Sequence, residues 1–263
     1  MVIDFHTHAF STKVVNKAIS SLSKKAALIP YFDGTLAGLK NQMKIDGVDM
    51  CVVLNIVTNP KSQRVVNDFA IEVNNMPEFF GFGSVHPDAP DALDEIDYIC
   101  DMGIKGVKLH PQYQNFYVDD KKMIKIYEKL AKKGLIVTFH AGDDIGFFGA
   151  KNFLPKNFLN IMGALEGAKV VLAHYGSFNM LDEVEKLLVD KNVYFDTSYS
   201  YGAMFKDQIE RIIKNHGAER MLFGSDMPWS SFEHEKFVIE CLDLTKEQKD
   251  NIFYKNAKEL LHI

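Results

Sequence analysis

The chain starts with Met1-Val2-Ile3-Asp4-Phe5-His6-Thr7-His8, a short apolar stretch that ends in two histidines one residue apart. Side chains alternate between the two faces of a β-strand, so a strand here would point His6 and His8 the same way. Two imidazoles on one face can hold one metal ion between them, because imidazole is the commonest protein ligand for zinc and similar metals. The pair alone is a weak signal, which becomes strong if further ligands follow at matching positions.

Seven more apolar runs follow, with helical periodicity between them. They lie at residues 50–56, 79–85, 104–109, 135–140, 169–174, 193–197 and 221–226. Each run is continuous rather than alternating, which is typical of parallel strands that helices cover on both faces. Eight strands, each followed by a helix, predict an α/β fold with a closed (β/α)8 TIM barrel, a domain of about 250 residues. We therefore expect a single domain over residues 1–263, with an open doubly wound sheet as the alternative.

The connection between the first two strands covers residues 9–46 and is long for such a link. Its sequence predicts an amphipathic helix at 12–22, a loop with Pro30 and Gly34, and a second helix at 35–45. We interpret residues 9–34 as an insertion after strand 1 near the mouth of the barrel. It would serve either as a lid or as an interface.

The composition is that of an ordinary globular protein, with 263 residues, 47% of them hydrophobic, and a formal net charge of -5. This mild acidity gives no reason to expect nucleic acid or an anionic membrane as a partner. No apolar run approaches the ~20 residues of a membrane span. We expect a small-molecule substrate as the partner, and a homodimer stays open.

The three cysteines, Cys51, Cys100 and Cys241, are scattered and odd in number. This usage predicts reduced core thiols rather than a disulfide frame or a metal knuckle. A structural strand begins at Val2, so we expect that no signal peptide precedes it. Both observations predict a cytoplasmic protein.

Polar side chains stand at the carboxyl ends of five predicted strands. They are His6, His8, Lys108, His110, His140, His174 and Asp226. Chemistry in (β/α)8 barrels sits at those strand ends. A lone histidine there is more often a hydrogen-bonded packing residue than a ligand, but this many at one end predict a metal site.

The residue types fit a divalent metal site with an open position. Such an ion needs three or four nitrogen or oxygen ligands. His6, His8 and His140 supply neutral nitrogen, and Asp226 supplies an anionic oxygen that can also accept a proton from water. The metal lowers the pKa of bound water towards ~7. His174 is then placed to act as a general acid or base, or to bind a second metal.

Three motifs carry a family resemblance, together with the single histidines His140 and His174. They are Asp4-Phe5-His6-Thr7-His8, Gly106-Val107-Lys108-Leu109-His110-Pro111 and Gly224-Ser225-Asp226-Met227-Pro228-Trp229. The chain resembles the amidohydrolase superfamily, and more closely its mostly mononuclear branch with the aminocarboxymuconate semialdehyde decarboxylase-like proteins. Residues 252–261 are similar to the final helix of that branch. The resemblance implies that His6, His8, His140 and Asp226 bind the metal, and that His174 is the catalytic acid or base.

Lys108 admits two interpretations under this resemblance. Binuclear relatives carry a carbamylated lysine at the end of strand four, where it bridges two metals. The mononuclear branch favours an uncarbamylated Lys108 that binds a substrate carboxylate, with His110 and Trp229 as further substrate-binding candidates. Asp4 lies on the same strand face as the two histidines, so it would orient the ligands. A buried structural carboxylate is the alternative for Asp4.

The leading functional hypothesis is a metal-dependent hydrolase with one divalent ion. Zinc is the expected metal, with manganese and iron as alternatives. Activated water would attack the carbonyl carbon of an amide, lactone or other ester, and Asp226 or His174 would help to deprotonate it. The alternative is metal-dependent, non-oxidative decarboxylation of an unsaturated or aromatic carboxylic acid. A catalytically silent barrel that binds a ligand is less favoured.

The sequence also suggests roles for one loop and for two helix ends. The glycine-rich residues 142–149 after His140 would form a loop that shapes specificity. Asp91 would cap the helix that follows it. His216, beside Gly217, would be a cation at the C-terminal end of a helix.

Overall fold

Eight short parallel strands form the centre of the structure over the residues that this computed structural model describes, 1–200 and 206–263. They are β1 (Ile3–Thr7), β2 (Met50–Leu54), β3 (Phe79–Phe82), β4 (Gly106–Leu109), β5 (Ile136–Phe139), β6 (Lys169–Leu172), β7 (Tyr194–Asp196) and β8 (Met221–Leu222). Strands β1 to β3 form one parallel sheet, and β4 to β8 form another.

Backbone hydrogen bonds join the two sheets along both edges. Between β3 and β4, the backbone N–H of Lys108 donates to the Gly83 carbonyl at 2.8 Å. Between β8 and β1, the N–H of Phe5 donates to the Phe223 carbonyl at 2.7 Å. The N–H of Asp226 continues this edge with a bond of 2.8 Å to the His6 carbonyl. The strands therefore close into the predicted (β/α)8 barrel, and the open sheet is excluded.

Helices surround the barrel. They are α1 (Val15–Ala26), α2 (Leu36–Asp46), α3 (Gln63–Val73), α4 (Ala92–Asp101), α5 (Lys121–Lys132), α6 (Pro155–Phe158), α7 (Leu181–Leu187), α8 (Lys206–His216), α9 (Phe232–Glu240), α10 (Lys246–Asp250) and α11 (Asn256–Leu261). Asp91 does not cap α4 with its side chain, which instead accepts a bond from the Gln63 amide at 3.1 Å. Among the described residues, no helix is both long and apolar enough to cross a membrane.

The two faces of β1 have different surroundings. Ile3 and Phe5 are fully buried and pack in an apolar cluster, where the Phe5 ring meets Phe82 edge to face at 5.6 Å. The alternate residues include His6 and His8, whose ring centroids are 5.2 Å apart. The period of two therefore places one face in the core and the other at the mouth of the barrel.

The prediction that all three cysteines are core thiols is wrong for two of them. All three are free thiols, as expected. Cys51 on β2 is buried, but Cys100 is half-buried and Cys241 is exposed. Both of these residues lie at the ends of surface helices, where the pattern of apolar residues does not decide burial.

His216 is a buried neutral side chain rather than a cation at the end of a helix, so that prediction is also wrong. Its ring is fully buried and stacks on Phe195 with centroids 3.9 Å apart. Nε2 donates to the Val193 carbonyl at 2.9 Å, and Nδ1 accepts from the Asp190 N–H at 3.2 Å. Burial lowers the pKa of His216 to about 4. The end of α8 is thus tied to β7 by an uncharged imidazole.

We expect His216 to make the protein less stable as the pH falls from 6.5 towards 4. The folded ring stays neutral in this window while the unfolded ring binds a proton, so stability falls with falling pH, by up to about 3 kcal/mol. His216→Gln should make the pH dependence of the urea midpoint shallower between pH 7 and pH 5. His262→Gln, at the exposed end of the chain, is the control. Equal slopes in wild type and His216→Gln would contradict this prediction.

Candidate active site

The two histidines of β1 converge with Asp226 at the mouth of the barrel. Nδ1 of His8 donates to the Leu54 carbonyl at 2.9 Å, which turns Nε2 towards the site. That Nε2 lies 3.1 Å from Oδ1 of Asp226, and Nε2 of His6 lies 3.5 Å from the same oxygen. The ligand atoms of these three residues lie within 4.8 Å of one another.

Asp196, at the end of β7, holds His6 from behind. Its Oδ2 lies 2.8 Å from Nδ1 of His6, and its Oδ1 accepts the backbone N–H groups of His174 and Ser198, each at 3.0 Å. Burial raises the pKa of a carboxyl group, but the charge interaction and the hydrogen bond with the His6 ring lower the pKa of Asp196 below its ordinary value. An ionised carboxylate can only accept hydrogen bonds, so the ring proton of His6 lies on Nδ1. Sequence reasoning missed Asp196, although an acidic residue at the end of a barrel strand was a readable signal.

The donor set fits a divalent metal ion. With the ring protons of His6 and His8 on Nδ1, two Nε2 lone pairs and a carboxylate oxygen face one another. No hydrogen lies between His8 Nε2 and Asp226, so a cation between them removes the repulsion. Burial lowers the pKa of His6 to about 3, which disfavours an added proton as that cation. Neutral imidazole and ionised carboxylate are the states that metal binding requires.

The backbone around this group is strained and held by a buried carboxyl group. Asp226 and His174 have φ angles of 68° and 60°, in the left-handed region that non-glycine residues rarely adopt. Oδ1 of Asp4 accepts the backbone N–H of His6 at 2.8 Å and that of Ser225 at 3.1 Å. Asp4 therefore links β1 to the segment that carries Asp226, and it contacts no ligand ring.

His140 and His174 form a second part of the site. Nδ1 of His140 lies 3.1 Å from Nε2 of His174. The Ser198 hydroxyl lies 3.0 Å from Nδ1 of His174 and 3.0 Å from Nδ1 of His6, so it connects the two parts. Ser198 was not among the predicted site residues.

His140 does not share the group of ligand atoms that His6, His8 and Asp226 form. It stands in a neighbouring group with His110 and Asp144, again within 4.8 Å. The His110 and His140 rings stack with centroids 4.1 Å apart, and Nε2 of His110 lies 3.3 Å from Oδ2 of Asp144. The four proposed ligands are therefore divided between two adjacent groups. Asp144 lies in the loop expected to shape specificity, but it was not singled out.

Lys108 places a buried ammonium group at the floor of the site. Its side chain is fully buried, and Nζ lies 3.2 Å from Nε2 of His6. It forms no ion pair with a carboxylate in the part of the chain that the structure describes; three carboxylates act on it only at longer range. Burial lowers the pKa of Lys108 to about 8.

One cavity of about 530 Å³ unites these residues. The predicted site residues that line it are His6, His8, Lys108, His110, His140, His174, Asp226 and Trp229. Asp4 lies behind them and does not line it. Helix α1 forms part of its wall, and Nζ of Lys25 in that helix lies 3.0 Å above the Phe147 ring of the loop after β5. The segment 9–34 therefore borders the site.

The sequence matches the family of amidohydrolases over residues 3–263, nearly the whole chain. The chain belongs to the amidohydrolase family. It is accordingly an enzyme, and the histidines and aspartate at its strand ends form a candidate metal centre of that family's kind. No curated protein matches this amidohydrolase.

Several solved structures share the fold of this amidohydrolase. An uncharacterised TIM-barrel protein from Bordetella bronchiseptica is 18% identical, with a TM-score of 0.81 over 99% of this chain and 98% of that one. The 5-carboxyvanillate decarboxylase from Sphingomonas paucimobilis is 16% identical, with a TM-score of 0.72 over 100% and 99%. The 5-carboxyvanillate decarboxylase from Novosphingobium aromaticivorans, complexed with manganese and 4-hydroxy-3-methoxy-5-nitrobenzoic acid, is 13% identical, with a TM-score of 0.72 over 100% and 96%. At these identities the likeness shows the barrel fold.

Proposed function

We propose that this amidohydrolase is a metal-dependent, non-oxidative decarboxylase of an aromatic or unsaturated carboxylic acid. The observation that carries the proposal is Lys108, a buried ammonium group beside His6 that forms no ion pair with a carboxylate of the described residues. A buried cation is costly unless an anion joins it, and a substrate carboxylate meets that need. Barrels of the same fold are named as decarboxylases, which supports this choice over hydrolysis.

His6, His8 and Asp226 would hold the divalent ion, with His140 as the proposed fourth ligand. Nε2 of His140 donates to the Asp143 carbonyl at 2.9 Å, so the lone pair of its ring lies on Nδ1. Zinc, manganese and iron all suit such nitrogen and carboxylate ligands. The bound ion would supply Lewis-acid polarisation of a substrate oxygen.

His174 is the proposed general acid. Its imidazolium form would donate from Nδ1 to the Ser198 carbonyl at 3.2 Å, and Nε2, 3.1 Å from Nδ1 of His140, would carry the second proton. Because the Nδ1 lone pair of His140 would bind the metal, this proton on Nε2 of His174 would be free to pass to a ring or alkene carbon of the substrate. The bond between that carbon and the carboxylate carbon then breaks, its electron pair restores the double bond, and carbon dioxide leaves. A proton from water restores the imidazolium.

Hydrolysis of an amide, lactone or ester is the second candidate. Asp226 favours it, because its ionised oxygen lies at the metal group and could accept a proton from an attacking water. Burial raises the pKa of a carboxyl group, but the neighbouring histidines lower the pKa of Asp226 to about 2. The two candidates differ in their products, since only decarboxylation releases carbon dioxide.

The segment 9–34 is proposed to act as a lid or wall of this pocket rather than as an interface. Its helix α1 lines the cavity, and Nζ of Lys25 lies over the Phe147 and Tyr113 rings, which belong to the segments after β5 and β4. These contacts would exclude water from the floor during proton transfer. We further propose that residues 1–263 act as one catalytic domain.

We expect Lys108→Met to raise KM for a carboxylic acid substrate by about 10- to 100-fold, because a charge-assisted bond contributes about 1.5–3 kcal/mol. Carbon dioxide release would be measured over hydroxybenzoic and unsaturated acids, with the matching esters and lactones in parallel. Lys17→Met removes an exposed lysine at the pocket wall and is the control. Turnover of esters or lactones without carbon dioxide release would favour the hydrolase and reject the decarboxylase.

A further inference from the structure

We propose that the pocket selects a monocarboxylic acid with an extended apolar body and rejects dicarboxylic acids. The position of the carboxylate rests on the proposed function, in which it meets Lys108. The preference for an apolar body and the exclusion of a second carboxylate are inferred from the side chains of the cavity wall, which take no part in the proposed proton transfer.

The wall above the floor contains apolar side chains from two helices. Helix α1 contributes Ala18 and Leu22, and α3 contributes Val65, Val66 and Phe69. Val65 is 70% exposed, so its side chain leaves apolar surface open to solvent. A substrate that covers it removes apolar surface from water, which favours binding by about 25 cal/mol per Å². At about 530 Å³, the cavity is in the range that buries a ligand much larger than a carboxylate.

Arginine, the side chain best suited to bind a second carboxylate, is absent from the wall in the described residues. The chain has only Arg64, Arg211 and Arg220. Arg64 pairs with Glu95 at 2.8 Å and Arg211 with Glu185 at 3.0 Å, both away from the cavity. Arg220 also lies outside it.

The charged side chains that the wall does have are mostly acidic. Asp143 and Asp144 line it beside the floor, and Lys17 is the one cation of the described wall outside the floor. Lys17 is exposed, so water screens it. A second carboxylate on the substrate would lose its hydration against apolar side chains or approach an aspartate. Both outcomes cost binding free energy, because a buried anion needs a partner.

The apolar lining continues beyond the first cavity. Leu28, Tyr199 and Trp229 line both this cavity and a second one of about 580 Å³, which Ile29 and Tyr31 also border. Ile29 is 89% exposed. The two cavities therefore adjoin at these three side chains, which would contact an apolar body longer than a single ring.

Binding of saturated carboxylates to the metal-loaded full chain tests this inference without turnover. Butanoate, hexanoate, octanoate and decanoate have no carbon that His174 could protonate, so calorimetry reports affinity alone. We expect Kd to fall about fourfold per added methylene until the cavity is filled. Hexanedioate and octanedioate should bind at least about tenfold more weakly than hexanoate and octanoate.

Variants of α1 locate the effect in the wall. Leu22→Asp should weaken octanoate binding by about tenfold or more and leave butanoate within about twofold. Leu22→Arg should raise the affinity for octanedioate relative to octanoate, because it adds the missing cation. Ile45→Asp changes an exposed apolar residue of α2 outside the pocket and should leave both affinities unchanged.

The outcomes separate this inference from the proposed function. An affinity that does not rise with chain length, or dicarboxylates that bind as tightly as monocarboxylates, would overturn the inference. If octanamide binds as tightly as octanoate, the ligand does not need a negative charge, and the proposed role of Lys108 is wrong. The same result would still support binding of an apolar body by the cavity wall. Chain-length dependence that Leu22→Asp leaves intact would overturn the assignment to this wall.

Discussion

Asp226→Ala is expected to remove the divalent metal and to lower turnover by roughly 10³-fold or more, as the loss of a whole catalytic group does. Asp226 is the one anionic member of the group with His6 and His8, at 3.1 Å from His8 and 3.5 Å from His6. Without its charge, only the neutral imidazoles of His6, His8 and the proposed ligand His140 remain, and the ion loses its one anionic ligand. Metal per chain, measured by mass spectrometry on protein purified without chelators, should fall from about one equivalent to near zero.

Two further variants show which group of side chains holds the metal. Asp144→Ala alters the neighbouring group of His110 and His140 and should keep the metal. His140→Ala should lose it if His140 is the fourth ligand. If the metal survives Asp226→Ala but is lost in Asp144→Ala, the metal centre lies in the group of His110, His140 and Asp144, and the assignment to His6, His8 and Asp226 is wrong. About two equivalents in the wild type, falling in Lys108→Met, would support a carbamylated lysine that bridges two ions.

Asp196→Asn is expected to lower metal affinity by about 10- to 100-fold, although Asp196 is not among the proposed ligands. Its carboxylate accepts the Nδ1 proton of His6 on one oxygen and two backbone N–H groups on the other. In asparagine the amide oxygen can keep the backbone bonds, so the NH₂ group would face Nδ1. His6 would then shift its proton to Nε2 and lose the lone pair that faces the metal.

A matched substitution in Asp4 tests the tautomer argument. Asp4 is equally buried, but its Oδ1 accepts the backbone N–H groups of His6 and Ser225 rather than a ring N–H. An amide oxygen can replace it there, so Asp4→Asn should keep metal affinity within about threefold. Competition with a chromophoric chelator would measure both variants. A loss in Asp4→Asn with none in Asp196→Asn would refute the argument.

The barrel and most of the residues at its mouth could be predicted from the sequence. Continuous apolar runs specify buried parallel strands, and the period of two places His6 and His8 on one face. Because the strands are parallel, their carboxyl ends meet at one end of the barrel. Lys108 and Trp229 could therefore be expected there before any coordinates were known, and both line the cavity.

The environment of each side chain could not be predicted in the same way. The bond between His6 and Asp196 joins residues 190 positions apart, and no local pattern encodes such a pairing. His216 turns into the core because Phe195 and the Val193 carbonyl meet it there, which the helix sequence does not reveal.

The sequence by itself determined the strands, the closed barrel and the end at which the chemistry gathers, because these follow from local periodicity and from chain direction. Only the tertiary structure decided that Asp196 orients His6, that Lys108 pairs with no carboxylate in the part of the chain that the structure describes, and that α1 adds apolar side chains to the wall. These features depend on contacts between segments far apart in the chain. Tautomers, ionisation and specificity arise from those contacts rather than from any single motif.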